Sequence, residues 1–100
     1  MTPTLDDPRH VLTWFESLPK WRLFCTATSY HCPLAEYLNE RGGSFAYVGS
    51  RYRATERCAF EITPQWALNF IPTVDSTGHS RITAGRCAQI LSGIIGELGL

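Results

Sequence analysis

The sequence predicts an α+β domain, about four helices packed around a small antiparallel sheet or hairpin, and three observations carry that expectation. Apolar residues recur at helical spacing behind three start signals, Asp7-Pro8, Thr63-Pro64 and Thr83. Strand-like alternation is confined to the middle of the chain, in residues 44–48 and 52–62. Finally, 44% of the 100 residues are hydrophobic, enough for one self-sufficient core and too short a chain for two. A single domain over residues 1–100 follows, with residues 1–6 expected to be flexible.

The elements read in order as follows. Asp7 is an N-cap and Pro8 a first helical residue, after which Val11, Leu12, Phe15 and Leu18 recur on one face with Trp14 beside them. Pro19 ends this helix near Leu18. Residues 21–27, rich in aromatic and β-branched side chains, suggest a short strand. A second helix opens at Pro33, buries Leu34, Ala35, Tyr37 and Leu38, and stops at Gly42-Gly43, the residue type that left-handed helix ends favour. Residues 44–48 and 52–62 pair as an antiparallel hairpin across Gly49-Ser50. Thr63-Pro64 starts a third helix with Trp66, Ala67, Phe70 and Ile71 on one face, stopped by Pro72. Residues 75–78 form a loop by composition. Thr83 caps the last helix, in which Ala84, Cys87, Ala88, Leu91, Ile94, Ile95 and Leu98 fall on one stripe. Gly85, Gly93 and Gly96 each weaken that helix by up to about 1 kcal/mol, so it depends on packing.

Nine basic residues balance nine acidic ones, which removes any overall electrostatic attraction to nucleic acid or anionic membrane and favours self-association. Residues 1–8 lack the basic cluster and apolar run of a secretory signal, and the longest nearly uncharged stretch, 87–96, is shorter than the ~20 residues that span a bilayer. A cytoplasmic protein without a membrane segment is expected, with Cys25, Cys32, Cys58 and Cys87 reduced. These cysteines form no CxxC pair, and with His10, His31 and His79 they offer only one close pair of ligands, His31-Cys32. Adjacent residues chelate one ion poorly, so no metal and no cofactor is expected.

Two constellations carry candidate chemistry. Arg51, Tyr52, Arg53 and Arg57 follow Tyr47, and strand alternation would gather the arginines on one face beside an aromatic, a mixture suited to phosphate contact and base stacking. The same charges can simply shield a sheet edge. Lys20-Trp21-Arg22 is a second basic-aromatic group. In His31-Cys32-Pro33, Cys32 falls at a helix N-terminus, where free amides and the macrodipole would favour a thiolate, with His31 as helper. The alternative is a small residue filling an N-cap. A helix-turn-helix over residues 63–98 is opposed by the long connection at residues 75–81.

The stretch Cys32-Pro33-Leu34-Ala35 with Tyr37-Leu38, then Pro64-Gln65-Trp66 with Phe70 and Val74-Asp75, then Ile82-Thr83-Ala84, resembles a set of small bacterial and phage proteins, across most of residues 8–92. The resemblance implies a single domain and no catalytic residues, and a lean toward an adaptor or inhibitor acting by binding. The expected function is a non-enzymatic protein–protein binding module, such as a modulator of a host complex. The alternatives are nucleic-acid contact through Arg51, Tyr52, Arg53 and Arg57, and thiol chemistry at Cys32 with His31. A homodimer through the last helix is also expected, because Ile90 and Leu100 lie at the margin of its apolar stripe and are harder to bury in a monomer.

Overall fold

In the computed structural model, which describes residues 2–26 and 28–100, the side chain of Asp7 accepts a hydrogen bond from the Arg9 amide at 2.9 Å and opens α1 (Pro8–Ser17). Pro8 occupies the first turn, where its missing N–H costs nothing. Leu18 closes the helix with an amide bond to Phe15 O. The expected strand at residues 21–27 exists as β1 (Leu23–Cys25); Ala27 lies outside the described residues. Next comes α2 (Pro33–Glu40), with Cys32 at its N-cap. Gly42, at φ 114°, supplies the left-handed turn that releases the chain.

The middle of the chain departs from the expected hairpin. Phe45 takes φ 53°, which breaks the extended run and leaves only β2 (Tyr47–Val48). The second stretch divides into β3 (Arg51–Arg53) and β4 (Glu61–Ile62), because residues 54–60 turn back instead of continuing straight. The result is an antiparallel three-stranded sheet in the order β2-β3-β4, pairing Tyr47 with Arg53, Val48 with Tyr52 and Arg51 with Ile62.

α3 (Gln65–Asp75) also runs further than expected, passing through Pro72. Pro72 cannot donate to the Leu68 carbonyl, yet Phe70 and Val74 are both buried, and burying two such side chains yields several kcal/mol against the roughly 3 kcal/mol of an interior proline. β5 (Arg81–Thr83) had no signal long enough to see. It pairs antiparallel with β1, aligning Leu23 with Thr83 and Phe24 with Ile82. Thr83 caps α4 (Ala84–Leu98), as expected, by accepting from the Arg86 amide at 3.2 Å.

The architecture is α+β: four helices and two small antiparallel sheets around one core. α4 packs against α1 and α3. The aromatic centre joins Phe15 to Phe70 (ring centroids 5.9 Å apart, stacked) and to Phe24 (5.9 Å, edge-on), with Trp14 edge-on to Tyr37 at 5.4 Å. Arg22 covers this cluster, its guanidinium 4.9 Å from the Phe24 ring and 5.5 Å from the Trp14 ring, held by two bonds to Glu40 at 2.7 and 3.0 Å. Ile90, expected to resist burial in a monomer, is buried within the single chain, where it lines the α3–α4 groove with Leu68 and Ile94. Leu98 and Leu100 stay exposed.

Residues 1–6 do not behave as a flexible tail at Leu5; Met1 is outside the described residues. The Leu5 side chain is fully buried, its amide donates to the Tyr52 hydroxyl at 3.2 Å, and its carbonyl accepts from Trp66 Nε1 at 3.0 Å. Burial holds the Tyr52 phenol protonated, its pKa pushed from 10.0 up to about 12. The folded state therefore grips this proton more tightly than the unfolded chain does. The resulting stabilisation is complete below about pH 10 and is lost as pH rises through about 12. In denaturant titrations, Tyr52→Phe should cost about 1–3 kcal/mol at neutral pH, by orphaning the Leu5 amide, and should flatten the alkaline limb.

Two glycines respond oppositely to alanine. A Cβ on Gly43 would collide with the backbone carbonyls of Ala54 and Leu38 where the chain after α2 passes the end of β3, whereas one on Gly93 meets nothing within 4 Å. Gly43→Ala should destabilise by about 1–3 kcal/mol, and Gly93→Ala should stabilise by up to about 1 kcal/mol, both read from thermal or denaturant midpoints.

Candidate functional site

Strand alternation gives the β2-β3-β4 sheet two different faces. Val48 and Tyr52 point inward and are buried. Tyr47, Arg53 and, continuing the register one step, Phe60 form one cross-strand row on the outer face, and Arg51 with Ile62 form the next. The Tyr47 and Phe60 rings meet edge-on at 5.5 Å, and Tyr30, from the segment before α2, meets Tyr47 edge-on at 5.3 Å. The Arg53 guanidinium lies 4.6 Å from the Phe60 ring and donates from Nη1 to the Glu56 carbonyl at 3.3 Å. Ile62 is 80% exposed, Tyr30 49% and Phe60 44%. A contiguous surface of three rings, an isoleucine and two arginines is unusual on a chain this small, since large apolar side chains rarely cluster in water without a partner.

The structure thus brings together two of the four residues expected to contact nucleic acid, Arg51 and Arg53, and separates the others. Tyr52 lies on the buried face, its hydroxyl engaged with Leu5, and cannot stack on a base. Arg57 is exposed in the β3–β4 connection. Arg53 is half-buried and committed to Phe60 and Glu56, which leaves Arg51 as the exposed cation of the strand. The aromatic members that replace Tyr52 are Tyr30, Tyr47 and Phe60. The alternation of residues 44–48 and 58–62 places Tyr47, Phe60 and Ile62 on one face once the register is known. Tyr30 arrives by tertiary folding and has no local signal. In the other basic-aromatic group, Trp21 is exposed while Arg22 is bound to Glu40.

At the α2 N-terminus, Cys32 does occupy the N-cap, but its side chain is buried. Burial pushes the Cys32 thiol above 9.0; the amides of Leu34 and Ala35 oppose the shift, while the charges of Asp75 and Glu36 add to it. His31 is exposed and directs Nδ1 to Glu36 Oε1 at 3.5 Å. The arrangement packs a thiol against Phe70 and Val74 and stabilises its neutral form. Cys87 is buried too, its thiol pushed up to about 12 by burial, whereas Cys25 is exposed and Cys58 half-buried, accepting from Thr55 Oγ1 at 3.0 Å. Among the described residues, no three His, Cys, Asp or Glu side chains gather as metal ligands do, and no helix is long and apolar enough to cross a membrane. The groove between α1 and α4, about 650 Å³, is open and is lined by Phe15, Glu16, Leu18, Lys20, Gly85 and Ala88.

The thiols give a direct check. In the native protein at neutral pH, iodoacetamide should modify Cys25 first and leave Cys32 and Cys87 unmodified until denaturant is added. Rapid labelling of Cys32 in the folded protein, read by peptide mass spectrometry, would show an accessible thiolate instead.

No family model, curated protein or solved structure matches the chain.

Proposed function

We propose that the chain is a non-enzymatic protein-binding module whose contact surface is the outer face of β2-β3-β4. The observation that carries this reading is the exposure of Ile62 beside Phe60, Tyr47 and Arg51 on one sheet face. Tyr and Arg are the residues from which binding hot spots are built, and an apolar centre rimmed by charges is how protein interfaces are composed. The rings contribute area at little entropic cost because they already brace one another edge-on.

Nucleic acid is supported less well by the same surface. Arg53 is internally engaged, Glu56 and Glu61 stand in the same hairpin, and an exposed isoleucine contributes nothing to base stacking. The remaining free cations, Arg51 and Arg57, bind phosphate only weakly by themselves.

The test compares the native protein with Ile62→Ser, at a position 80% exposed whose folded stability should change little, and with Phe60→Ser, which also gives up the contacts with Tyr47 and Arg53 and is checked for folding by its thermal midpoint. Affinity capture from nuclease-treated lysate should retain a stoichiometric protein that both variants lose. Capture that vanishes on nuclease treatment, with oligonucleotide affinity falling steeply with salt and weakened by Arg51→Ala, would move the function to nucleic acid. Capture unaffected by either serine variant would place the binding surface elsewhere. A mass that doubles with concentration would make the partner a second copy of the chain.

A further inference from the structure

The two edges of the three-stranded sheet are finished differently. Gly49 N–H bonds to Arg51 O, and Thr63 N–H bonds to Ser50 O. Antiparallel alternation therefore turns the backbone groups of Arg51 and Arg53 toward β2, and those of Ser50 and Tyr52 toward β4. On β2 the outward groups are closed by the chain itself: Val48 N–H bonds to Ser29 O at 2.9 Å, and Ala46 N–H to Asn39 Oδ1 at 2.9 Å. On β4, Glu61 and Thr63 face β3, so the amides and carbonyls of Phe60 and Ile62 face outward, and no residue among those described closes them. The same two residues carry the exposed side chains of the outer face. β4 is two residues long and carries the charge of Glu61, both usual protections of an edge against indiscriminate pairing, so an added strand must match that charge.

We infer that β4 is an acceptor edge to which an extended segment of the partner adds as a fourth, antiparallel strand. This rests on the protein-binding reading above and deepens it by naming the partner's chemistry. Residues opposite Phe60 and Ile62 share their outer face and are apolar or β-branched, since cross-strand pairs of that kind stabilise sheets. Their backbones make the hydrogen-bonded pairs. The intervening residue stands opposite Glu61, whose exposed carboxylate lies beside the Tyr52 hydroxyl and favours a lysine or arginine. The segment recognised is therefore apolar–basic–apolar in extended conformation, and backbone bonds supply affinity while Phe60, Ile62 and Glu61 supply selectivity.

The probe is a synthetic heptapeptide with a central valine–lysine–valine triplet flanked by threonine and glycine, titrated to millimolar concentration into the isotopically labelled full chain. The amide signals of Phe60 and Ile62 should shift, and their hydrogen exchange should slow by about tenfold or more at saturation. N-methylation of both valines, whose amides would face β4, should weaken binding by about tenfold or more, each lost bond being worth about 1 kcal/mol. N-methylation of the lysine, whose amide would face solvent, should leave binding unchanged. Exchange of the lysine for glutamate should weaken it, and Glu61→Lys should reverse that preference. Absence of shifts at Phe60 and Ile62, or indifference to valine methylation, overturns strand addition. The face reading then stands or falls separately on the Phe60→Ser and Ile62→Ser captures. Shifts that follow protein concentration without peptide would assign the edge to a second copy and overturn the peptide proposal.

Discussion

The backbone of one residue, Leu5, ties the start of the chain to both β3 and α3. Its amide reaches the Tyr52 hydroxyl on β3 and its carbonyl the Trp66 indole on α3, while its side chain is sealed in the core. A buried residue outside any helix or sheet must satisfy its backbone groups somehow, and here one side-chain acceptor, the Tyr52 hydroxyl, and one side-chain donor, the Trp66 indole, do so. Together with Thr63, whose amide donates to Ser50 O and whose hydroxyl donates to Gly49 O, this arrangement fixes α3 against the three-stranded sheet. Strand alternation turns Tyr52 away from its arginine neighbours, and the bond to Leu5 completes its role inside the molecule.

With Tyr52 committed inward, the outer face of the sheet is left to Tyr47, Arg51, Arg53, Phe60 and Ile62. Its design is asymmetric along the hydrogen-bonding direction. Ser29 and Asn39 close one edge at no cost in sequence beyond their own placement, whereas the opposite edge ends on two large apolar residues. Arg53, laid over Phe60 and tied to Glu56, stiffens the row rather than advertising a charge. Rigid side chains lose little freedom on contact, so a small face of this kind can be useful despite its size.

Most of the helical framework was legible in the sequence because its signals are local. Asp7-Pro8 and Thr83 act within one turn, and the stripe from Ala84 to Ile95 states its own burial, although its last expected member, Leu98, is exposed. The errors share one physical origin, the override of local preference by distant contacts. Pro72 stays helical because Phe70 and Val74 are buried against the rest of the fold, and Ile90 finds cover from α3. β5 is too short for alternation to be visible and exists only because β1 lies beside it. On the outer face of the sheet, the arginines and Tyr47 could be grouped in advance, but Tyr30 could not. For Cys32 the position was right and the environment could not be inferred: a helix N-terminus lowers a thiol pKa only where burial does not outweigh it.

The pairing of Leu23 with Thr83 and the bond from Leu5 to Trp66 have a kinetic side. Both join early residues to late ones, so neither can form until Trp66 and Thr83 have been made and have left the ribosome. Until then α1 and β1 present Val11, Phe15 and Phe24 without the helix and strand that cover them. Chains rich in such distant pairings fold more slowly than helical bundles of equal length. Synthesis therefore includes an interval in which an aromatic half-core stands exposed, and in that interval aggregation competes with folding.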